Sequence, residues 1–137
     1  MRISNTTKFK TSDLKKLFYR CVNEVNKIEK PDKKQYKSNY YKLQFKSRHL
    51  RVESVGGRAR LSGYYMSILI PDHWEVEDVS FERKEKIART IIHEYYHNLG
   101  YMNFDRHHYK YDTSKTWKVD WVKDYTIRLR TDKDIYY

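Results

Sequence analysis

His93-Glu94-Tyr95-Tyr96-His97 sets two imidazoles four positions apart, with a carboxylate beside the first. On an α-helix such positions share a face, with Cβ atoms about 5–6 Å apart. Two imidazoles so placed can converge on one Zn²⁺, each at about 2.0–2.1 Å. Glu94 follows about 100° further around the helix. From there its carboxylate can reach a metal-bound water without itself being a ligand. The chemistry that suits these three residues is attack of a zinc-activated water on a peptide carbonyl, with Glu94 as general base. The bland alternative is two solvated histidines flanking a surface glutamate. The nearby apolar residues Ile91, Ile92, Tyr95 and Leu99 argue against it, because they place the histidines at the edge of a core.

A catalytic zinc takes three protein ligands and keeps one position open. Gly100, three residues after His97, offers a place where the chain can leave the helix and turn back. Beyond it lie Asp105, His107 and His108. Imidazole is the commoner zinc ligand, so one of His107 and His108 is expected as the third, with Asp105 as the oxygen alternative. His49 and His73 lie far from the motif and read as surface or turn histidines, although His73 could approach the site.

The elements that must position these groups follow from periodicity. Leu14, Leu17, Phe18, Cys21, Val22, Val25 and Ile28 fall on one helical face, with Thr11 or Ser12 as cap and Pro31-Asp32 as stop. On that face Cys21 is a packing residue. Tyr41, Leu43 and Phe45 alternate with polar residues, as in a half-buried strand. Gly56-Gly57 reads as a turn. From Arg58 to Ile70 two alternating registers meet at Ser62-Gly63, where a bulge or turn allows the switch. Ser80 is the expected N-cap of the metal helix, and Ala88, Ile91, Ile92, Tyr95 and Leu99 form its apolar stripe. Trp117, Trp121 and Tyr125 suggest a short helix running into an extended end at Ile127 and Leu129. Residues 1–10 read as a polar arm.

Composition bounds the rest. The chain has 137 residues, one cysteine, 29 Lys+Arg against 18 Asp+Glu, and a formal net charge of +11. That length suits a single domain able to bury a core without disulfides. The N-terminal residues do not resemble a signal peptide, and no apolar run approaches the roughly 20 residues that span a bilayer. A cytoplasmic, monomeric protein with no membrane association is expected. The charge favours polyanionic partners, and Lys46, Arg48, His49, Arg51, Arg58 and Arg60, near Tyr64 and Tyr65, form a basic stretch. A nucleic-acid-binding module with a structural or vestigial zinc is therefore the alternative function.

Three stretches together resemble a known family: Gly63-Tyr-Tyr-Met-Ser-Ile-Leu-Ile-Pro71, Ile91-Ile-His-Glu-Tyr-Tyr-His-Asn-Leu-Gly-Tyr101 and His107-His108. The chain looks like a minimal zincin metallopeptidase of the SprT-like kind, which includes small enzymes encoded by phages and mobile elements. The resemblance implies a helix, a small sheet and the metal helix; with the periodic elements above, the expected fold is α+β, with an N-terminal helix, a small twisted sheet of about three strands, the metal helix and a C-terminal helical or extended segment. The resemblance also implies a third zinc histidine beyond the metal helix and a strand bordering the cleft. The spacing after Gly100 departs from the metzincin pattern, which has its third histidine where this chain has Asn103. A metzincin Met-turn and the cysteines of a zinc ribbon are also lacking. The strand from Tyr64 to Ile70, with Tyr64, Met66 and Ile68 as substrate-binding residues, is expected to hold an extended protein or peptide substrate by strand addition. With 14 tyrosines in the chain, none is singled out as an oxyanion donor.

Overall fold

The computed structural model describes residues 1–101 and 119–131. Two helices lie on one face of a four-stranded mixed sheet. The elements are β1 (Arg2–Asn5), α1 (Thr11–Glu29), β2 (Lys42–Arg48), β3 (Gly56–Ala59), β4 (Tyr65–Pro71) and α2 (Phe81–Asn98). Short 3₁₀ turns occupy Gln35–Lys37, Asp72–Trp74 and Asp120–Asp124. The sheet order is β1-β2-β4-β3, with β1, β2 and β4 parallel and β3 antiparallel to β4.

The residues expected to be a polar arm include a strand. β1 pairs in parallel with β2, from Arg2 opposite Lys42 to Asn5 opposite Phe45. Parallel neighbours need a crossover connection, and α1 supplies it. Phe9 behind the strand is fully buried and bridges Leu129. The sheet thus has four strands rather than about three. Gly56-Gly57 is not a turn but the start of β3. The switch of register falls in the β3–β4 connection, where Ser62 takes a left-handed φ of 49°.

α1 buries Leu14, Leu17, Phe18, Cys21, Val22 and Val25, as its apolar spacing requires, whereas Ile28 is 52% exposed and lies past the core. The helix ends at Glu29, with Lys30 left-handed just before Pro31. Burial raises the Cys21 thiol well above its ordinary pKa, which fits a packing role. Ser80 caps α2 by accepting a hydrogen bond from the Arg83 amide at 3.3 Å. Leu43 and Phe45 of β2 and Met66, Ile68 and Ile70 of β4 meet both helices in a single core. The expected C-terminal helix is reduced, among described residues, to the 3₁₀ turn at Asp120–Asp124; Trp117 lies outside them. The extended segment after it docks on the start of α1, where Arg128 grips Asp13 through two guanidinium contacts at 3.0 and 3.1 Å. Among the described residues no helix is long and apolar enough to cross a membrane.

Candidate metal centre

The last two turns of α2 are enclosed on several sides: Glu94, Tyr95, Tyr96, His97 and Asn98 are all buried. A polar run of this kind is tolerated inside only when its groups have partners. Tyr95 donates to Asn26 Oδ1 at 2.8 Å, and Tyr96 donates to Glu29 Oε1 at 3.1 Å, fastening α2 to α1. Asn98 is fully buried and bridges three groups. Its Nδ2 donates to the carbonyls of Arg60 and Tyr65 at 3.1 and 2.9 Å, and its Oδ1 accepts from the Tyr41 hydroxyl at 2.7 Å. The β3–β4 connection is thereby tied to the end of α2. Gly100, at φ 102°, donates to the His97 carbonyl at 2.9 Å, and Ser62 does the same at 2.9 Å. The glycine takes a conformation that a side chain would strain, as its place past the helix end suggested.

Within this frame His93 and His97 turn toward each other. Their Nε2 atoms stand 3.2 Å apart and their ring centroids 4.9 Å apart. Two nitrogens bound to one tetrahedral ion at 2.0–2.1 Å are separated by about 3.3–3.4 Å, so the pair is spaced to share one. His97 Nδ1 lies 2.9 Å from the Tyr101 carbonyl. A carbonyl only accepts, so this hydrogen bond puts the proton on Nδ1 and leaves the Nε2 lone pair for a cation. Tyr101 is held in turn by its hydroxyl, which donates to Glu29 Oε2 at 2.6 Å. The chain Glu29–Tyr101–His97 is therefore an outer support for the imidazole, and the sequence motif gave no sign of it.

Glu94 lies 4.0 Å from His93, measured from Oε1 to Nε2. It is only 6% exposed, because α2 presses it onto β3. Burial penalises the carboxylate form and lifts its pKa to about 7. A carboxyl poised there can exchange a proton near neutrality.

Among the described residues no group of three His, Cys, Asp or Glu side chains is arranged to hold a metal. The expected third ligands His107 and His108, and the alternative Asp105, lie outside the described residues. The donor chemistry of His93 and His97 fits a zinc ion. The other two histidines stand apart: His49 Nδ1 contacts Asp72 at 2.9 Å and His73 Nε2 contacts Glu53 at 2.8 Å. The latter contact and Arg83 hold Glu53 down to a pKa of about 2.

The expectation for the substrate strand needs correction. Met66 and Ile68 are fully buried in the core, and Tyr64 precedes β4 with the Lys33 ammonium over its ring at 5.2 Å. β4 is paired on both edges, by β2 and β3, so it offers no edge for another strand. Alternation alone cannot separate an edge strand from a central one. Among the described strands, β3 pairs only with β4, and β3 is the strand that meets Glu94. Comparison of the chain with models of known protein families, with curated protein sequences and with solved structures found no match.

Proposed function

We propose that this chain is a zinc metallopeptidase, a minimal zincin of the SprT-like kind. The observation that carries the reading is the convergence of the His93 and His97 Nε2 atoms at 3.2 Å, with the buried Glu94 carboxylate 4.0 Å from His93. His93 and His97 would hold the ion, with one of His107 and His108 completing the set. Zinc bound there supplies Lewis acidity and a water of lowered pKa. Glu94 accepts a proton at Oε1 and returns it to the leaving amine, as its near-neutral pKa permits. The Tyr101 carbonyl keeps His97 in the tautomer that ligates. An extended substrate adds to the edge of β3 that no described strand occupies, in place of the β4 edge expected from alternation. The test is zinc quantitation on wild type, His93→Ala, His107→Ala and His108→Ala, with casein hydrolysis by wild type and Glu94→Gln. Wild type holds one zinc and cleaves; Glu94→Gln holds zinc and does not. A wild type that binds no zinc refutes the proposal.

One observation favours a second reading, nucleic-acid binding. Pleat and register place Arg2, Lys42, Lys46, Arg48 and Arg58 on the sheet face away from the helices, and no strand residue of that face is Asp or Glu. Tyr65 and Gln44 share the face, linked by a 3.2 Å hydrogen bond. Such a face suits phosphates and stacked bases. Binding to a DNA oligonucleotide that weakens steeply with salt, survives His93→Ala and is lost in Lys46→Glu/Arg58→Glu supports it.

A further inference from the structure

Glycine is depleted in strands, and where it occurs inside one it often marks the close approach of another group. Gly57 lies within β3, opposite Ile68 of β4, on the face that packs against α2. Its backbone does not call for glycine: among the described residues Gly100 is the one glycine with positive φ. What calls for glycine is space. A Cβ at Gly57 would lie 2.6 Å from Glu94 Oε1, 2.7 Å from Cγ and 2.9 Å from Cδ. Ordinary contact begins near 3.5 Å, so Gly57→Ala requires the Glu94 side chain to move by close to 1 Å. With Glu94 only 6% exposed, that movement has little room.

We infer that Gly57 is a positioning residue for Glu94: the absent side chain on β3 forms the seat that holds the carboxylate beside His93. The inference rests on the peptidase reading for its catalytic consequence and on packing alone for the contact. A misplacement of about 1 Å costs on the order of 100-fold in rate. Gly56, the neighbouring strand glycine, faces the other way. A Cβ there meets Leu69 and the flexible Arg48 guanidinium at 3.2 Å, so Gly56→Ala is the matched control.

The experiment has two arms. In the first, zinc content and casein hydrolysis are measured for wild type, Gly56→Ala, Gly57→Ala and Glu94→Gln. Gly57→Ala is expected to keep wild-type zinc while kcat falls about 100-fold, whereas Gly56→Ala, which shares any effect on substrate pairing along β3 but not the Glu94 contact, loses far less kcat. In the second, the metal-free proteins are melted in a cycle of wild type, Gly57→Ala, Glu94→Ala and the double variant. Gly57→Ala lowers Tm by several degrees when Glu94 is present and does not lower it in the Glu94→Ala background. Should Gly57→Ala fail to fold while the double variant folds, the contact is equally supported. Equal Tm losses in both backgrounds, failure of both to fold, or a fully active Gly57→Ala beside an inactive Glu94→Gln each overturn the inference. A fully active Glu94→Gln removes Glu94 from the mechanism instead, and the melting cycle then decides the contact by itself.

Discussion

Replacing Glu94 by Gln should make the metal-free protein more stable at pH 8 while hardly changing it at pH 4.5. The buried carboxyl has a pKa of about 7 against an ordinary 4.5. The folded state therefore holds this proton more tightly than the unfolded state does. The protonated carboxyl imposes no charge-burial penalty below about pH 4.5. As pH rises from there through about 7, the folded state must either keep a proton that solution withdraws or bury a charge. Stability falls across that window and levels off above it. A shift of about two and a half pH units at 1.36 kcal/mol each amounts to about 3 kcal/mol. Glutamine has nearly the shape of the protonated acid and nothing to titrate, so its stability lacks this fall. The assay is urea unfolding of chelator-treated wild type and Glu94→Gln between pH 4.5 and 8.5, with the difference between the two curves isolating Glu94 from the histidines. A difference that opens by about 3 kcal/mol supports the reasoning. Parallel curves refute it, because they mean that the carboxyl titrates as though solvated.

Tyr101→Phe removes the hydroxyl that donates to Glu29 and loosens the carbonyl that orients His97; zinc affinity, measured by competition with a chromophoric chelator, should fall by about tenfold. Tyr41→Phe leaves the buried Asn98 Oδ1 without its hydroxyl donor, which should cost about 1–3 kcal/mol in urea unfolding. Gly100→Ala forces a side chain into φ 102° and brings its Cβ to 2.8 Å from Ser62 Oγ; a loss of about 1–3 kcal/mol is expected from the same measurement.

Both helices were legible because their apolar residues recur at the helical period over many turns. Ser80 was legible as a cap because its side chain can serve the amide three residues on, and it does. The two histidines and Glu94 were legible from spacing alone, since a helix fixes which neighbours share a face. β1 was not legible: Arg2-Ile3-Ser4-Asn5 holds one apolar residue, and its partner strand lies across the whole of α1. β3 was hidden for a different reason. Two adjacent glycines are a turn signal when only the backbone is considered, but Gly57 answers to a glutamate that arrives from another element. Asn98 was likewise silent, because a buried amide is recognised by what surrounds it and not by its place in a period.

The Asn98 bridge couples two parts of the molecule that sequence separates. The Asn98 amide, the Ser62 bond to the His97 carbonyl and the Gly57 contact join one edge of the sheet to the end of α2. An opening fluctuation at that edge must break several of these attachments together, and so exposes both parts at once. Their amides should exchange with deuterium as one cooperative block. On the peptidase reading proposed above, such a block would be already assembled when a substrate chain is ordered against it, so the conformational entropy lost on docking would fall mainly on the substrate.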